Sequence, residues 1–123
     1  MRVFLIGSAG FAGAVSRHLL GGWIARRTSG AFPWHTFVVN ASGCFALGVL
    51  VTVFTDRLVP NPDVRAALTV GFLGAYTTFS TFAYESFELA EDGATNLALT
   101  NIVASVAVGI VAAWLGTVVG RAL

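Results

Sequence analysis

Four stretches of this chain are almost free of charge, and each is long enough to cross a bilayer. A membrane helix needs about 20 predominantly apolar residues. The windows at about 3–24, 33–54, 64–84 and 95–119 reach that length. In hydrocarbon every backbone N–H and C=O must be satisfied internally, so such windows become helices. The sequence predicts an all-α membrane protein with four transmembrane helices, residues 1–123 forming one domain. Composition agrees: 56% of residues are hydrophobic, 11% are charged and the mean hydropathy is +0.81. A soluble domain carries about 25% charged residues. The apolar start, MRVFLIGSAGFAGAV, runs past any plausible cleavage site and reads as a retained first helix.

Composition also excludes. The net charge of +1 gives no clustered basic face for nucleic acid. The single cysteine, Cys44, permits neither an intramolecular disulfide nor a cysteine-built zinc site and is expected to be a buried packing thiol. No phosphate loop is present and the two histidines are far apart, so no enzyme is expected.

Short polar connections separate the windows: Arg26 to Gly30, Asp56 through Pro60 to Asp63, and Glu85 through Asp92 to Gly93. Consecutive helices should be antiparallel neighbours. The acidic group Glu85, Glu88, Glu91 and Asp92 reads as an interfacial helix end. Gly7, Gly10 and Gly13, and the pair Gly116 and Gly120, are small-residue packing signals. With the N-terminus on one side of the membrane, Arg2, Arg57, Arg65 and Arg121 share that side and Arg26 and Arg27 lie opposite. This positive-inside bias is weak. It permits insertion both ways up and an antiparallel dimer. A bundle this small has little room for a polar path, so a path between subunits of a homodimer is expected.

Polar groups at membrane depth mark function. Arg17 lies in the first window, inside the membrane or at the floor of a vestibule, where a permanent cation would concentrate anions. His18 beside it faces elsewhere. Asn40 needs a partner across a helix interface or a place along a pore. Asn101 and Ser105 are four apart and share a helix face. The third window holds "GAYTTFSTF", residues 74–82, with Thr77, Thr78, Ser80 and Thr81 beside Gly74. These hydroxyls compete for backbone groups. A helix break near residues 74–80 follows as an expectation, and broken membrane helices commonly bind ions. Phe79 and Phe82 share a side, and the positive edge of an aromatic ring can face an anion without trapping it.

Three stretches together, "GFAGAVSRHLL" at residues 10–20, "FPWHTFVVNASGCFALG" at 32–48 and "GFLGAYTTFSTFAYE" at 71–85, resemble the Fluc (CrcB) fluoride channel family over essentially the whole chain. The resemblance implies an antiparallel, dual-topology homodimer in the cell membrane that passively exports fluoride and confers fluoride resistance. It implies two pores lined by Phe79 and Phe82, with Asn40, a polar track of Ser80, Thr81 and Ser105, Arg17 in the vestibule and Glu85 near the pore's end. It also implies a structural sodium ion held at the dimer centre by the backbone carbonyls of Gly74 and Thr77. One position departs from the pattern: Asn101 stands where many members have a tyrosine. The competing readings are a small dual-topology, proton-coupled multidrug exporter, which needs an acid in the first helix where this chain has Arg17, and a non-transporting scaffold subunit.

Overall fold

The computed structural model describes residues 1–58 and 61–123, so Pro60 of the predicted second connection lies outside the described residues. The described residues are helical apart from connections and one interruption. The elements are α1 (Arg2–Ala25), α2 (Trp34–Asp56), α3 (Pro62–Ala66), a π-helical segment (Ala67–Leu73), α4 (Gly74–Tyr76), α5 (Phe79–Glu91) and α6 (Thr95–Ala122). Elements α3 to α5 make one span, and among the described residues four spans are long and apolar enough to cross a membrane.

Local chemistry sets the ends. Thr28 closes α1 by donating Oγ1–H to the Ile24 carbonyl at 3.0 Å, and Arg27 lies 4.1 Å over the Trp23 ring. Phe32, Trp34 and Phe37 cluster where α2 begins, as amphipathic aromatics do at a membrane interface. Asn61 caps α3 by accepting the Asp63 N–H at 2.8 Å, with Pro62 in the first turn. Gly93, at φ 82°, makes the turn from α5 into α6, a conformation that favours glycine. The third span continues as helix past Tyr84 to Glu91, which corrects the expected limit at residue 84. Glu85, Glu88 and Glu91 belong to the last turns of α5 rather than to a connection, because the polar end of a helix can leave the hydrocarbon without unwinding.

Two helix pairs carry the packing, and both need glycine. Helix α2 lies along α6: a Cβ at Gly48 would enter the Ala113 carbonyl, one at Gly116 the Phe45 carbonyl, and one at Gly120 would crowd Thr52. Helix α1 lies along the π segment, where Gly13 meets the Phe72 backbone and Gly71 meets Ile6 and Ala9. Gly7 has nothing near it, so its place in the glycine repeat is not a packing contact among the described residues. Little is buried within one chain. Val39 and Asn101, each 1% exposed, are the largest fully buried side chains, while Phe4, Phe11, Val70, Val103, Ile110 and Trp114 face outward.

Candidate functional site

The third span breaks at Thr77 and Thr78, whose backbones are extended (φ −81°, ψ 159° and φ −148°, ψ 116°). The break falls within the expected stretch, but Gly74 is itself helical (φ −63°, ψ −34°). The hydroxyls do the local work. Thr77 donates Oγ1–H to the Leu73 carbonyl at 2.9 Å, closing the helix before it. Thr78 opens the helix after it, its Oγ1 accepting the Thr81 N–H at 3.3 Å as an N-cap does.

An open backbone at membrane depth requires partners from elsewhere in the protein. Asn40 of α2 supplies them: its Oδ1 accepts the Thr78 N–H at 2.8 Å and its Nδ2 donates to the Thr78 carbonyl at 2.9 Å. A continuous helix would send the Thr78 N–H to the Gly74 carbonyl; here that N–H goes to Asn40. From the other side, Arg17 Nη1 approaches the Thr77 carbonyl at 3.4 Å. Arg17 of α1 and Asn40 of α2 thus converge on the backbone of adjacent residues.

Beside the break is a cavity of about 350 Å³. Among the residues singled out above it gathers Asn40, Gly74, Thr77, Phe79, Phe82 and Ser105, together with Cys44 at its wall. Phe79 is 79% exposed, and its ring centroid lies 5.8 Å from that of Phe82 at an interplanar angle of 56°. Cys44 is half-buried rather than fully buried, because α2 presents it to this cavity. Arg17, Thr81 and Glu85 do not line this cavity. Arg17 and Thr81 line a second cavity of about 260 Å³, with His18, His35 and Thr36. Ser80 is exposed near the N-cap, its Oγ 3.5 Å from Thr78 Oγ1. Glu85 accepts from Thr36 Oγ1 at 2.8 Å and meets His35 Nε2 at 3.0 Å, both at Oε1.

A hydrogen-bond chain supports the cavity from behind. Ser105 donates to Asn101 Oδ1 at 3.2 Å, Asn101 Nδ2 donates to Ser86 Oγ at 2.9 Å, and Ser86 donates to the Phe82 carbonyl at 2.8 Å. The chain begins and ends at residues of the cavity wall. Sequence reasoning placed Asn101 with Ser105 but missed Ser86. The available signal was symmetry, since Ser86 and Asn101 are equidistant from the Gly93–Ala94 turn. Asn101 itself is buried and does not reach the cavity. Thr36, one turn before Asn40 on α2, is buried against Glu85. No group of three or more His, Cys, Asp or Glu able to hold a metal occurs among the described residues.

Four spans, one of them interrupted by extended backbone beside a polar-and-aromatic cavity, define a multi-pass protein of the cell membrane built around a discontinuous helix. Comparison with known sequences gives the family. The family model described as "CrcB-like protein, Camphor Resistance (CrcB)" matches residues 4–117. The "Fluoride-specific ion channel FluC" of Solibacter usitatus is 45% identical over 98% of this chain and 99% of its own length. "Fluoride-specific ion channel FluC 1" of Symbiobacterium thermophilum is 46% identical over 94% of each chain. "Fluoride-specific ion channel FluC" of Acidobacterium capsulatum is 41% identical over 98% of this chain and 97% of its own length. The chain belongs to the CrcB family.

Proposed function

We infer that this chain is the subunit of a fluoride-selective, passive ion channel that lets fluoride leave the cytoplasm and so confers fluoride resistance. The observation that carries the reading is the break at Thr77 and Thr78, held by Asn40 and facing a cavity walled by Phe79 and Phe82. Membership of a family whose relatives are named fluoride-specific channels supports it. Fluoride holds its water tightly, so a selective path has to replace hydration with moderate donors that still release the ion. Ring edges of Phe79 and Phe82, the Asn40 amide and the hydroxyls of Ser80 and Thr81 are donors of that strength, and Ser105 becomes one when its hydroxyl turns from Asn101. Arg17, on the other side of the break, raises the local anion concentration, and Glu85 stands near the end of the path.

The working unit is an antiparallel, dual-topology homodimer. Three features support it: the weak arginine bias, the outward-facing Phe79 and the scarcity of side chains buried within one chain. The carbonyls of Gly74 and Thr77 would hold a sodium ion at the dimer centre. The Gly74 carbonyl fits the role, since its usual donor, the Thr78 N–H, is turned to Asn40; the Thr77 carbonyl, which faces Arg17 Nη1 at 3.4 Å, would have to exchange that contact for the ion. When bound, such an ion supplies fixed positive charge and ties the two breaks together. The drug-exporter alternative is disfavoured because α1 holds no acid to exchange protons.

Efflux from liposomes, followed with a fluoride and a chloride electrode in parallel, tests the reading. Fast fluoride loss with chloride retained is expected. Retention of both ions by folded, dimeric protein would contradict it.

A further inference from the structure

The Glu85 carboxylate is served unevenly. Its Oε1 has both Thr36 and His35, whereas Oε2 is buried with no hydrogen-bond partner among the described residues. A buried ionised oxygen without compensation is costly, and a neighbouring positive charge relieves it. The titratable neighbour within hydrogen-bond distance is His35, whose side chain is 42% exposed against 16% for Glu85. His35 is therefore open to protons on one side and coupled to a largely buried carboxylate on the other. Since a carboxylate only accepts, a neutral ring facing it carries its hydrogen on Nε2.

His35 lines two cavities at once. Arg17 and His18 of α1 face it in the smaller one, which Thr81 and the Thr78 break also line. Glu85 and Glu88 of α5, with Asp92 at its end, face it in the larger one, about 560 Å³, under the first connection. No residue of α6 lines either. Arginine keeps its charge at all relevant pH, and histidine is the side chain whose charge changes between about pH 5 and pH 8. The two histidines, His35 on Glu85 and the exposed His18, are the groups to separate.

We propose that His35 is a pH-responsive positioning residue that sets the charge at the Glu85 end of the anion path. Neutral, it donates Nε2–H to Glu85 and leaves the pair with one net negative charge, which repels an entering anion. Protonated, it makes the pair neutral and eases entry. The proposal rests on the fluoride-channel reading above.

The test is fluoride efflux from liposomes with equal pH inside and out, at about pH 7.5 and about pH 5.5. The leak of protein-free vesicles at each pH is subtracted. Wild-type efflux should rise about threefold or more at the lower pH, the order expected when one charge near the path is neutralised. His35→Gln keeps an N–H donor but does not titrate, so its efflux should stay flat. His35→Lys, a permanent cation, should be fast at both pH values, and His18→Gln should keep the wild-type rise. A wild-type rate that ignores pH, or a rise that survives in His35→Gln, overturns the proposal. Wild-type efflux equal to protein-free vesicles at both pH values instead overturns the channel reading, and this proposal with it.

Discussion

The α2–α6 pair and the pair formed by α1 with the third span use the same device, glycine set against a neighbour's backbone, to opposite ends. Along α2 and α6, Gly48, Gly116 and Gly120 bring together two unbroken helices. Along α1, Gly13 and Gly71 bring a straight helix against a π segment that leads into extended backbone. π-Helical turns inside α-helices concentrate at functional sites, and here only the short α4 separates the turn from the break. One pair is a rigid rail; the other carries the irregular backbone. Asn40 links them, since it stands on the rail and its amide satisfies the break.

The largest effect should come from breaking the rail. Gly116→Val drives a branched side chain into the Phe45 backbone, and overpacking of this kind costs about 1–3 kcal/mol or more. Loss of the folded, monodisperse protein on size-exclusion chromatography is expected. Next comes the link. Asn40→Leu leaves the part-buried Thr78 N–H and C=O without their partner, at about 1–3 kcal/mol in all. Fluoride efflux should fall to the protein-free rate, with thermal stability in detergent clearly reduced.

Behind the cavity, Asn101→Leu removes the donor to Ser86 and the acceptor for Ser105, a loss of about 1–3 kcal/mol. It should lower the melting temperature while slowing efflux only in part, because Asn101 does not reach the cavity. The smallest effect belongs to Arg2→Ala. Its ion pair with Asp63 is exposed, and exposed pairs contribute about 0–1 kcal/mol. Melting temperature and efflux should both stay close to wild type.

The sequence made the four spans legible because lipid imposes one rule on every residue of a helix. The break was legible too, since Thr77, Thr78, Ser80 and Thr81 are local competitors for backbone hydrogen bonds. What holds the break was not. Asn40 and Thr78 are 38 positions apart, and no local preference reports which backbone group a distant amide will find. The same holds for His35 and Thr36, which meet Glu85 only because α2 and α5 lie together. Asn101 shows the limit of spacing arguments: its bond to Ser105 follows from helix periodicity, while its burial against Ser86 depends on the α5–α6 turn. Motif resemblance named Arg17 for the vestibule, Thr81 for the polar track and Glu85 for the pore's end; in the fold none of the three lines the Phe79–Phe82 cavity, and Arg17 and Thr81 share a second one.

The central claim is that fluoride passes along the face of the broken span where Phe79 and Phe82 stand. Fluoride efflux from liposomes holding equal amounts of wild-type protein, Phe79→Ile and Phe82→Ile tests it most directly. Both substitutions keep an apolar side chain of similar bulk but remove the ring edge. The account predicts that each slows efflux about tenfold or more, a transition-state loss of about 1.4 kcal/mol or more, while the protein stays dimeric. Wild-type efflux from both variants would contradict it.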